Sequence, residues 1–203
     1  KTAYEMPKWL EFRRVLFRSN GLTSARHDVF SSHYREQYPE SYDHNLPSDV
    51  VYCGTKRLTD SVEGSPIDAG KLVLSATRTY APMVKAIFDA CKPAVKGMIH
   101  CSGGGQTKVL HFTQNVHIIK DQLLPIPPLF QLIKAESGTD WKEMFQVFNM
   151  GHRLEIYTDA EAAKEMIQIA NSFGIEAQII GRVEASSSNK LTISGDFGTL
   201  LYP

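Results

Sequence analysis

The stretch Ile99–Lys108, which reads IHCSGGGQTK, has three consecutive glycines between a short apolar segment and a helix-compatible one. Glycine tolerates positive φ and has no Cβ, so such a turn can aim successive backbone N–H groups at an anion. A helix that starts there adds a favourable dipole. The residue types therefore predict either a phosphate-binding turn or a tight strand-to-helix connection in which two backbones pack closely.

Two common nucleotide-binding patterns do not match this stretch. A Walker A loop needs Gly-Lys-Ser/Thr in succession, and here Gln106 and Thr107 separate Gly105 from Lys108. A dinucleotide fingerprint needs a GxGxxG turn with an acidic residue about 20 positions later, and that combination is also missing. The turn by itself indicates phosphate or close packing and nothing narrower.

The histidines and cysteines do not indicate a metal site or a disulfide framework. The seven histidines are scattered, and His100 and His111, which flank the glycines, have no identifiable further ligands. The three cysteines are an odd number without CxxC spacing. We therefore expect no metal bound by this chain, and a reducing cytoplasm as its compartment.

Charge and length exclude several classes of partner. The 22 basic and 22 acidic side chains cancel, which argues against a broad attraction to nucleic acid or to an anionic membrane. No apolar run reaches the roughly 18 residues that a membrane span needs. At 203 residues the chain is long enough for a substantial core.

The segment Leu10–Ser19 reads LEFRRVLFRS and resembles the in-frame translation of a widely used sequencing-adapter oligonucleotide. On that interpretation residues 1–19 are a doubtful N-terminal segment, residues 20–203 form the evolved domain, and the true protein begins further upstream. The alternative is a genuine basic amphipathic helix.

Hydrophobic periodicity predicts which elements carry the glycine turn. A helix is expected from Asn20 to about Gln37, a buried strand at Lys71–Ser75 and a helix after Tyr80. The glycine turn lies between a strand at Gly97–Cys101 and a short helix at Gly105–Phe112, and Val116–Ile119 forms the next strand.

The second half continues with alternating helices and strands. We expect helices from Pro128 through Ile133, from Trp141 with Thr139 as the N-cap, and from Thr158-Asp159 to Phe173-Gly174. A strand near Leu154–Tyr157 should bury Leu154 and Ile156 on one face. A further strand at Ala177–Val183 should return as a hairpin through Ser186–Asn189 to Leu191–Ile193. This order predicts an α+β fold, a layered α/β sandwich with a mixed sheet.

Four motifs occur in an order that resembles a known family. They are Ser19-Asn20-Gly21 with the following LTSAR, Thr77-Arg78-Thr79-Tyr80, His100-Cys101-Ser102 with the three glycines, and Phe148-Asn149-Met150-Gly151. This order resembles the C-terminal half of AIR synthetases, the phosphoribosylformylglycinamidine cyclo-ligases of purine biosynthesis, in a long bacterial variant. The resemblance runs from about Asn20 to the end of the chain.

The resemblance implies a set of ligand-binding residues but no catalytic acid or base. The expected substrate-binding residues are Asn20, Gly21, Thr23, Arg26, Arg78, Ser102, Gly103, Gly104, Gly105, Asn149 and Gly151. They would line an interdomain cleft, with backbone donors of the glycine turn holding a phosphate. Without the resemblance, each of the two Asn/Gly motifs can be a helix cap or a ligand contact.

The family's reaction uses ATP to close the imidazole ring of formylglycinamidine ribonucleotide. It depends on positioning the two ends of the substrate and on stabilising charge at the transferring phosphoryl group, usually with Mg²⁺. The resemblance places ATP and Mg²⁺ mainly on an N-terminal domain that has no counterpart here, and it implies a homodimer for the full-length enzyme. A fragment without that domain is expected to be inactive alone.

Two alternatives remain open from the sequence. The chain can belong to another branch of the same ATP-dependent superfamily, whose members handle thiamine phosphate, selenide, hydrogenase maturation or the preceding amidine-forming step. It can also be a non-catalytic dimerisation or ligand-binding module.

Overall fold

The computed structural model describes residues 21–75 and 78–203. The chain divides into two units, the first formed by residues 21–75, 102–105 and 126–150, and the second by residues 78–101, 106–125 and 151–203. Asn20, Thr77 and the segment Leu10–Ser19 lie outside the described residues. The predictions made for them stay predictions.

The first described helix, α1 (Gly21–Val29), is shorter than predicted. The chain leaves the helix at Phe30 and Ser31 because these residues form parallel bridges with Lys56 and Gly54. It then resumes as α2 (His33–Gln37). A Cβ on Gly54 would lie 2.2 Å from the Val29 carbonyl oxygen, so this approach requires glycine.

The predicted strand at Lys71–Ser75 is wrong, because the structure has α3 (Ala69–Val73) there. Asp68 caps this helix, since its carboxylate accepts a hydrogen bond of 2.8 Å from the Lys71 backbone N–H. A short apolar run fits a strand or a helix equally well, and here the cap decides.

The remaining helices of the first unit are α5 (Pro128–Ser137) and α6 (Trp141–Val147); helix α4 (Ala81–Cys91), which precedes them in the chain, belongs to the second unit. Helix α5 begins at Pro128 as predicted but continues past the predicted end at Ile133 to Ser137, and Gly138, whose φ is 67°, is its C-cap. The predicted cap of α6 is wrong: Asp140, not Thr139, accepts the hydrogen bond from the Glu143 N–H. The Thr139 hydroxyl instead accepts a hydrogen bond from Ser137.

The second unit contains helices α4 (Ala81–Cys91) and α7 (Ala160–Ser172), as the periodicity predicts. They pack against each other through an apolar cluster of five buried side chains, which are Met83, Ile87, Cys91, Met166 and Ala170. Strand β1 (Gly97–His100) pairs antiparallel with β3 (Leu154–Tyr157). Leu154 and Ile156 pack against the helix cluster, as predicted, but the prediction of a single buried face is wrong, because Glu155 on the opposite face is buried as well.

The larger sheet of the second unit has the order β4-β2-β5-β6. Its strands are β2 (Val116–Lys120), β4 (Gly181–Ala185), β5 (Lys190–Gly195) and β6 (Gly198–Tyr202). Strand β2 is antiparallel to β4 and parallel to β5, which confirms the mixed sheet of an α+β fold. Short 3₁₀ helices occur at Pro39–Ser41, Ser48–Val50, Lys92–Ala94 and Gly105–His111.

Two details of the predicted sheet are wrong. The strand expected at Ala177–Val183 begins only at Gly181, and the predicted hairpin between it and Leu191–Ile193 does not form, because β2 lies between β4 and β5. The hairpin of this sheet joins β5 and β6, with Gly195 opposite Gly198. Pairing between strands that are distant in sequence decides this order, and local patterns do not report it.

Candidate functional site

The glycine turn connects β1 to the 3₁₀ helix Gly105–His111, as predicted. Ser102 and Gly103 are exposed, Gly104 is half-buried and Gly105 is buried. Gly104 and Gly105 have φ of 93° and 49°, and the Gly105 N–H donates to the Ser102 carbonyl at 3.0 Å. The exposed half of the turn is open to a ligand, and its buried half is a left-handed turn that favours glycine.

Within the first unit, the buried end of the glycine turn meets the end of α6. A Cβ on Gly105 would lie 2.5 Å from the Phe148 carbonyl oxygen and 2.7 Å from that of Phe145. Asn149, which is half-buried, follows directly in the chain. The structure therefore brings together two of the four motifs, and it explains Gly105 by close backbone packing.

The turn that contains Asn149 also has left-handed backbone. Met150, which is fully buried, has φ of 52°, and Gly151 has φ of 97°. A left-handed conformation at a non-glycine residue is strained and persists only where the surroundings fix it. Gly151 is assigned to the second unit, so the chain changes unit within this turn.

Helix α1 places Gly21 at its start, Thr23 half-buried, and Arg26 at the wall of an apolar pocket. The pocket has a volume of about 210 Å³. It is lined by Leu22, Arg26, Phe30, Tyr34, Tyr38, Ser41, Tyr52, Leu58, Gly70, Val73 and Leu74. The guanidinium of Arg26 lies 5.8 Å from the centre of the Tyr52 ring, a cation–π contact. Sequence reasoning did not single out these tyrosines.

His27, the neighbour of Arg26, is buried and lies edge-on to Tyr52, with ring centroids 4.8 Å apart. Its Nδ1 has no hydrogen-bond partner among the described residues. Burial and the neighbouring charge of Arg26 lower the pKa of His27 to about 4. The imidazole is therefore neutral at physiological pH.

Arg78 lies in the second unit and is exposed. Its Nη1 donates a hydrogen bond of 2.9 Å to the Gly174 carbonyl, just after the C-terminus of α7. A cation at a helix C-terminus is favourable on electrostatic grounds. The observed contact of Arg78 is thus with backbone at a helix end.

A buried polar cluster that sequence reasoning missed lies in the second unit, on the face of β3 opposite the helices. The Lys120 ammonium donates to Glu155 Oε1 at 2.5 Å, to Gln106 Oε1 at 2.9 Å and to the Gln106 carbonyl at 3.1 Å. The Tyr157 hydroxyl donates to Glu155 Oε2 at 2.7 Å. The available signal was one charged residue in each of two apolar strands, VHIIK and LEIY.

The cluster also affects its neighbours. Burial raises the pKa of the Tyr157 hydroxyl far above its usual range, and the Glu155 carboxylate adds to the shift. The same two causes raise the pKa of the Cys101 thiol. Both groups stay protonated at neutral pH.

Gln106 extends the cluster to a second turn. Its Nε2 donates to the His152 carbonyl at 3.2 Å, and the His152 ring accepts a hydrogen bond of 3.0 Å from the Leu124 N–H. Gln106 directly follows the glycine turn, and His152 directly follows Gly151. One buried side chain thus ties together the residues that come after the two turns.

Two negative findings apply to residues 21–75 and 78–203. They contain no group of three or more His, Cys, Asp or Glu side chains that could hold a metal ion. His100 and His111, which flank the glycine turn, are exposed. Over the same described part of the chain, no helix is long and apolar enough to span a membrane.

The amino-acid sequence that forms this α+β fold and this glycine turn matches a known protein family. Residues 59–194 match the family described as AIR synthase related protein, C-terminal domain. The chain belongs to this family. Arg78, Ser102–Gly105 and Asn149–Gly151 lie inside the matched range, whereas Gly21, Thr23 and Arg26 precede it.

Curated relatives carry a more specific name. The chain is 36% identical over 138 residues to the phosphoribosylformylglycinamidine cyclo-ligase of Methanococcus vannielii, which covers 66% of this chain and 38% of that protein. It is 28% identical over 162 residues to the enzyme of the same name from Syntrophus aciditrophicus, covering 74% of this chain and 44% of that protein. The chain therefore spans less than half the length of these relatives.

Among solved structures, the chain resembles a crystal structure of E. coli HypE, a hydrogenase maturation protein. The TM-score is 0.45 and the sequence identity 22%, over 60% of this chain and 38% of that one.

Proposed function

We propose that this chain is the C-terminal part of a phosphoribosylformylglycinamidine cyclo-ligase, which closes formylglycinamidine ribonucleotide to aminoimidazole ribonucleotide at the expense of ATP. Its family membership and the names of its relatives support the proposal. The observation that carries it is the close approach of Gly105 to the Phe148 carbonyl, which joins the glycine turn to the Asn149–Gly151 turn.

The part assigned to this chain is to hold the ribonucleotide, and the glycine turn is the proposed phosphate site. Ser102 and Gly103 are exposed, and the left-handed backbone at Gly104 suits a turn whose N–H groups converge on an anion. Gly21, Thr23, Asn149 and Gly151 are the other proposed contacts, together with Asn20 outside the described residues. Arg26 and Arg78 are weaker candidates, because each already has the protein contact described above.

ATP and Mg²⁺ are proposed to bind mainly to a part of the enzyme outside this chain. The described residues offer no carboxylate cluster for a metal, so no catalytic step is assigned to Mg²⁺ here. When bound, Mg²⁺ would neutralise charge on the transferring phosphoryl group. This chain's own contribution is to position the two reacting ends of the substrate and to fix its phosphate.

We further propose a homodimer for the full-length enzyme, with the ribonucleotide and ATP as its ligands and neither nucleic acid nor a membrane as a partner. The expected compartment is the cytoplasm. The free thiols of Cys53, Cys91 and Cys101 support a reducing environment.

The test compares the chain with a full-length version in which native upstream sequence replaces residues 1–19. Coupled formation of aminoimidazole ribonucleotide and phosphate is measured with ATP present. We expect turnover only from the full-length protein. Equal turnover by the 203-residue chain, or none by the full-length protein, contradicts the proposal.

A substitution in the glycine turn tests the phosphate site itself. Gly104→Val in the full-length enzyme should raise KM for the ribonucleotide about tenfold, since its side chain crowds the backbone donors. Gly138→Val is the matched control, because Gly138 also has left-handed backbone in the first unit but ends α5 instead. Equal KM values for the two variants contradict the assignment of the turn.

A further inference from the structure

The buried pair Lys120 and Glu155 has no part in the function proposed so far. Lys120 is 2% exposed and Glu155 is 5% exposed. An ammonium group has three N–H donors, and the three contacts of Lys120, to Glu155 Oε1, Gln106 Oε1 and the Gln106 carbonyl, use all of them. Lys120 therefore has no donor left for a ligand, so its role must lie in what it holds.

Stability alone does not account for the pair. Removing two charges from water costs about as much as their mutual attraction returns, and well-packed apolar side chains of similar size are often as stabilising. A buried pair does impose a defined geometry on the groups around it, because each misplaced partner leaves a charge unsatisfied.

The group held by this pair is Gln106, the residue that directly follows the glycine turn. Lys120 binds both the backbone carbonyl and the side-chain oxygen of Gln106, which fixes the main chain and the side-chain orientation together. With its oxygen held, the Gln106 amide points its Nε2 at the His152 carbonyl, 3.2 Å away. Glu155 in turn fixes Lys120, and the Tyr157 hydroxyl fixes Glu155.

We propose that Lys120 and Glu155 are positioning residues for the ribonucleotide site: through Gln106 they fix the backbone that follows the glycine turn and, through His152, the backbone that follows Gly151. This inference rests on the proposed function only in naming the ligand. The hydrogen bonds from which the positioning role is argued all lie within the second unit.

The main test replaces the pair by apolar side chains of similar size, Lys120→Met with Glu155→Leu, in the full-length enzyme. Neither charge is then left buried alone, so we expect an unfolding midpoint close to that of the wild type. Because Gln106 loses both contacts from Lys120, KM for the ribonucleotide should rise about tenfold while KM for ATP stays unchanged. A stable double variant with wild-type KM for the ribonucleotide overturns the proposal.

A matched control uses the exposed pair of α4, Lys85 and Asp89, whose charged groups are also 2.5 Å apart. Lys85→Met with Asp89→Leu should leave both KM values unchanged. Gln106→Met tests independently whether Lys120 acts through Gln106, and it remains available as a test if the Lys120→Met, Glu155→Leu variant does not fold. It should raise KM for the ribonucleotide to a similar extent, and combining it with the apolar pair should add little. Fully additive effects, or no effect of Gln106→Met, overturn the route through Gln106.

A readout without catalysis separates this proposal from the function. In the 203-residue chain, the amide NMR shifts of Gly103, Gly104 and His152 should move in the apolar-pair variant and stay in place in the surface control. Inactivity of the full-length wild type together with these shifts refutes the proposed function alone. Unmoved shifts in a folded apolar-pair variant refute the positioning role, whatever the activity.

Discussion

Replacing Gly105 by alanine should destabilise the first unit strongly, because the new Cβ would clash with backbone carbonyl oxygens at the end of α6. It would lie 2.5 Å and 2.7 Å from two carbonyl oxygens, those of Phe148 and Phe145, where ordinary contacts are longer than 3.4 Å. Neither oxygen is the end of a flexible side chain, so relief requires the turn or the end of α6 to move.

The magnitude follows from three contributions. The left-handed φ of 49° at Gly105 costs an alanine about 1–2 kcal/mol. Strain from overpacking adds about 1–3 kcal/mol. The reduced entropy of the unfolded chain returns about 0.4–1 kcal/mol. We therefore expect the free energy of unfolding to fall by about 1–4.5 kcal/mol.

Gly138→Ala is the control, since Gly138 has a φ of 67° but an alanine Cβ there would have no heavy atom of another segment within 4 Å. It should change stability by about 1 kcal/mol or less, because only backbone strain and entropy apply. Urea unfolding measures both variants, and the overpacking strain that separates them, about 1–3 kcal/mol, places their midpoints roughly 0.5–1 M apart at an m-value of about 2–3 kcal/mol/M. If Gly105→Ala loses no more stability than Gly138→Ala, the packing argument is refuted.

Further predictions concern charge, capping and thiols. His27 is neutral in the folded chain down to pH about 4, whereas in the unfolded chain it binds a proton below pH about 6.5. The free energy of unfolding should therefore decrease as the pH is lowered from about 6.5 to about 4, by about 3 kcal/mol in total. The His27→Phe variant should lack this loss when unfolding is measured at about pH 7 and about pH 4.5, and an unchanged pH slope would contradict the shifted pKa. Asp159→Ala removes the N-cap of α7 and should cost about 1 kcal/mol in the same assay, and no loss would mean that the cap is dispensable. A thiol reagent should modify Cys53 first in the folded chain, slowly because burial and a nearby carboxylate raise its pKa. Cys91 and Cys101 are buried and should react only on unfolding, and early labelling of either, detected by mass spectrometry, would contradict their burial.

Sequence periodicity predicts the elements whose patterns are long. Helices α4 and α7 carry apolar side chains at helical spacing over at least 11 residues. The predicted start of α4 and both predicted ends of α7 agree with the structure. The five-residue helix α3 differs from the predicted strand because a short apolar run has no distinguishing period. Its Asp68 cap is the one local signal that favours the helix.

Long-range pairing explains the errors in the predicted sheet and the missed ion pair. Nothing in the residues between β4 and β5 reports that β2 inserts between them, so a local hairpin is the natural expectation from sequence. The same limit applies to Lys120 and Glu155, which lie on different sheets and meet only in the fold. A charged residue inside an apolar strand warns of burial but does not identify its partner.

The candidate site is predictable only in part for the same reason. The glycine turn is recognisable from its residues, but its packing against the end of α6 is visible only in the structure, since the resemblance implied only that the two motifs line one cleft. The aromatic pocket at Arg26 depends on tyrosines from several segments of the chain, which no local pattern brings together.

The two supports of the glycine turn lie on either side of one peptide bond. Gly105 is held in the first unit by packing against the Phe148 carbonyl, and Gln106 is held in the second unit by Lys120 and by its bond to His152. Neither support uses a ligand atom, so protein contacts alone order the backbone of the turn. Preorganised donors lose less conformational freedom on binding than donors on a loose loop, which favours affinity. The residues of the turn thus differ in their physical roles: Gly105 allows the packing that fixes the turn, whereas Ser102 and Gly103 form its exposed edge.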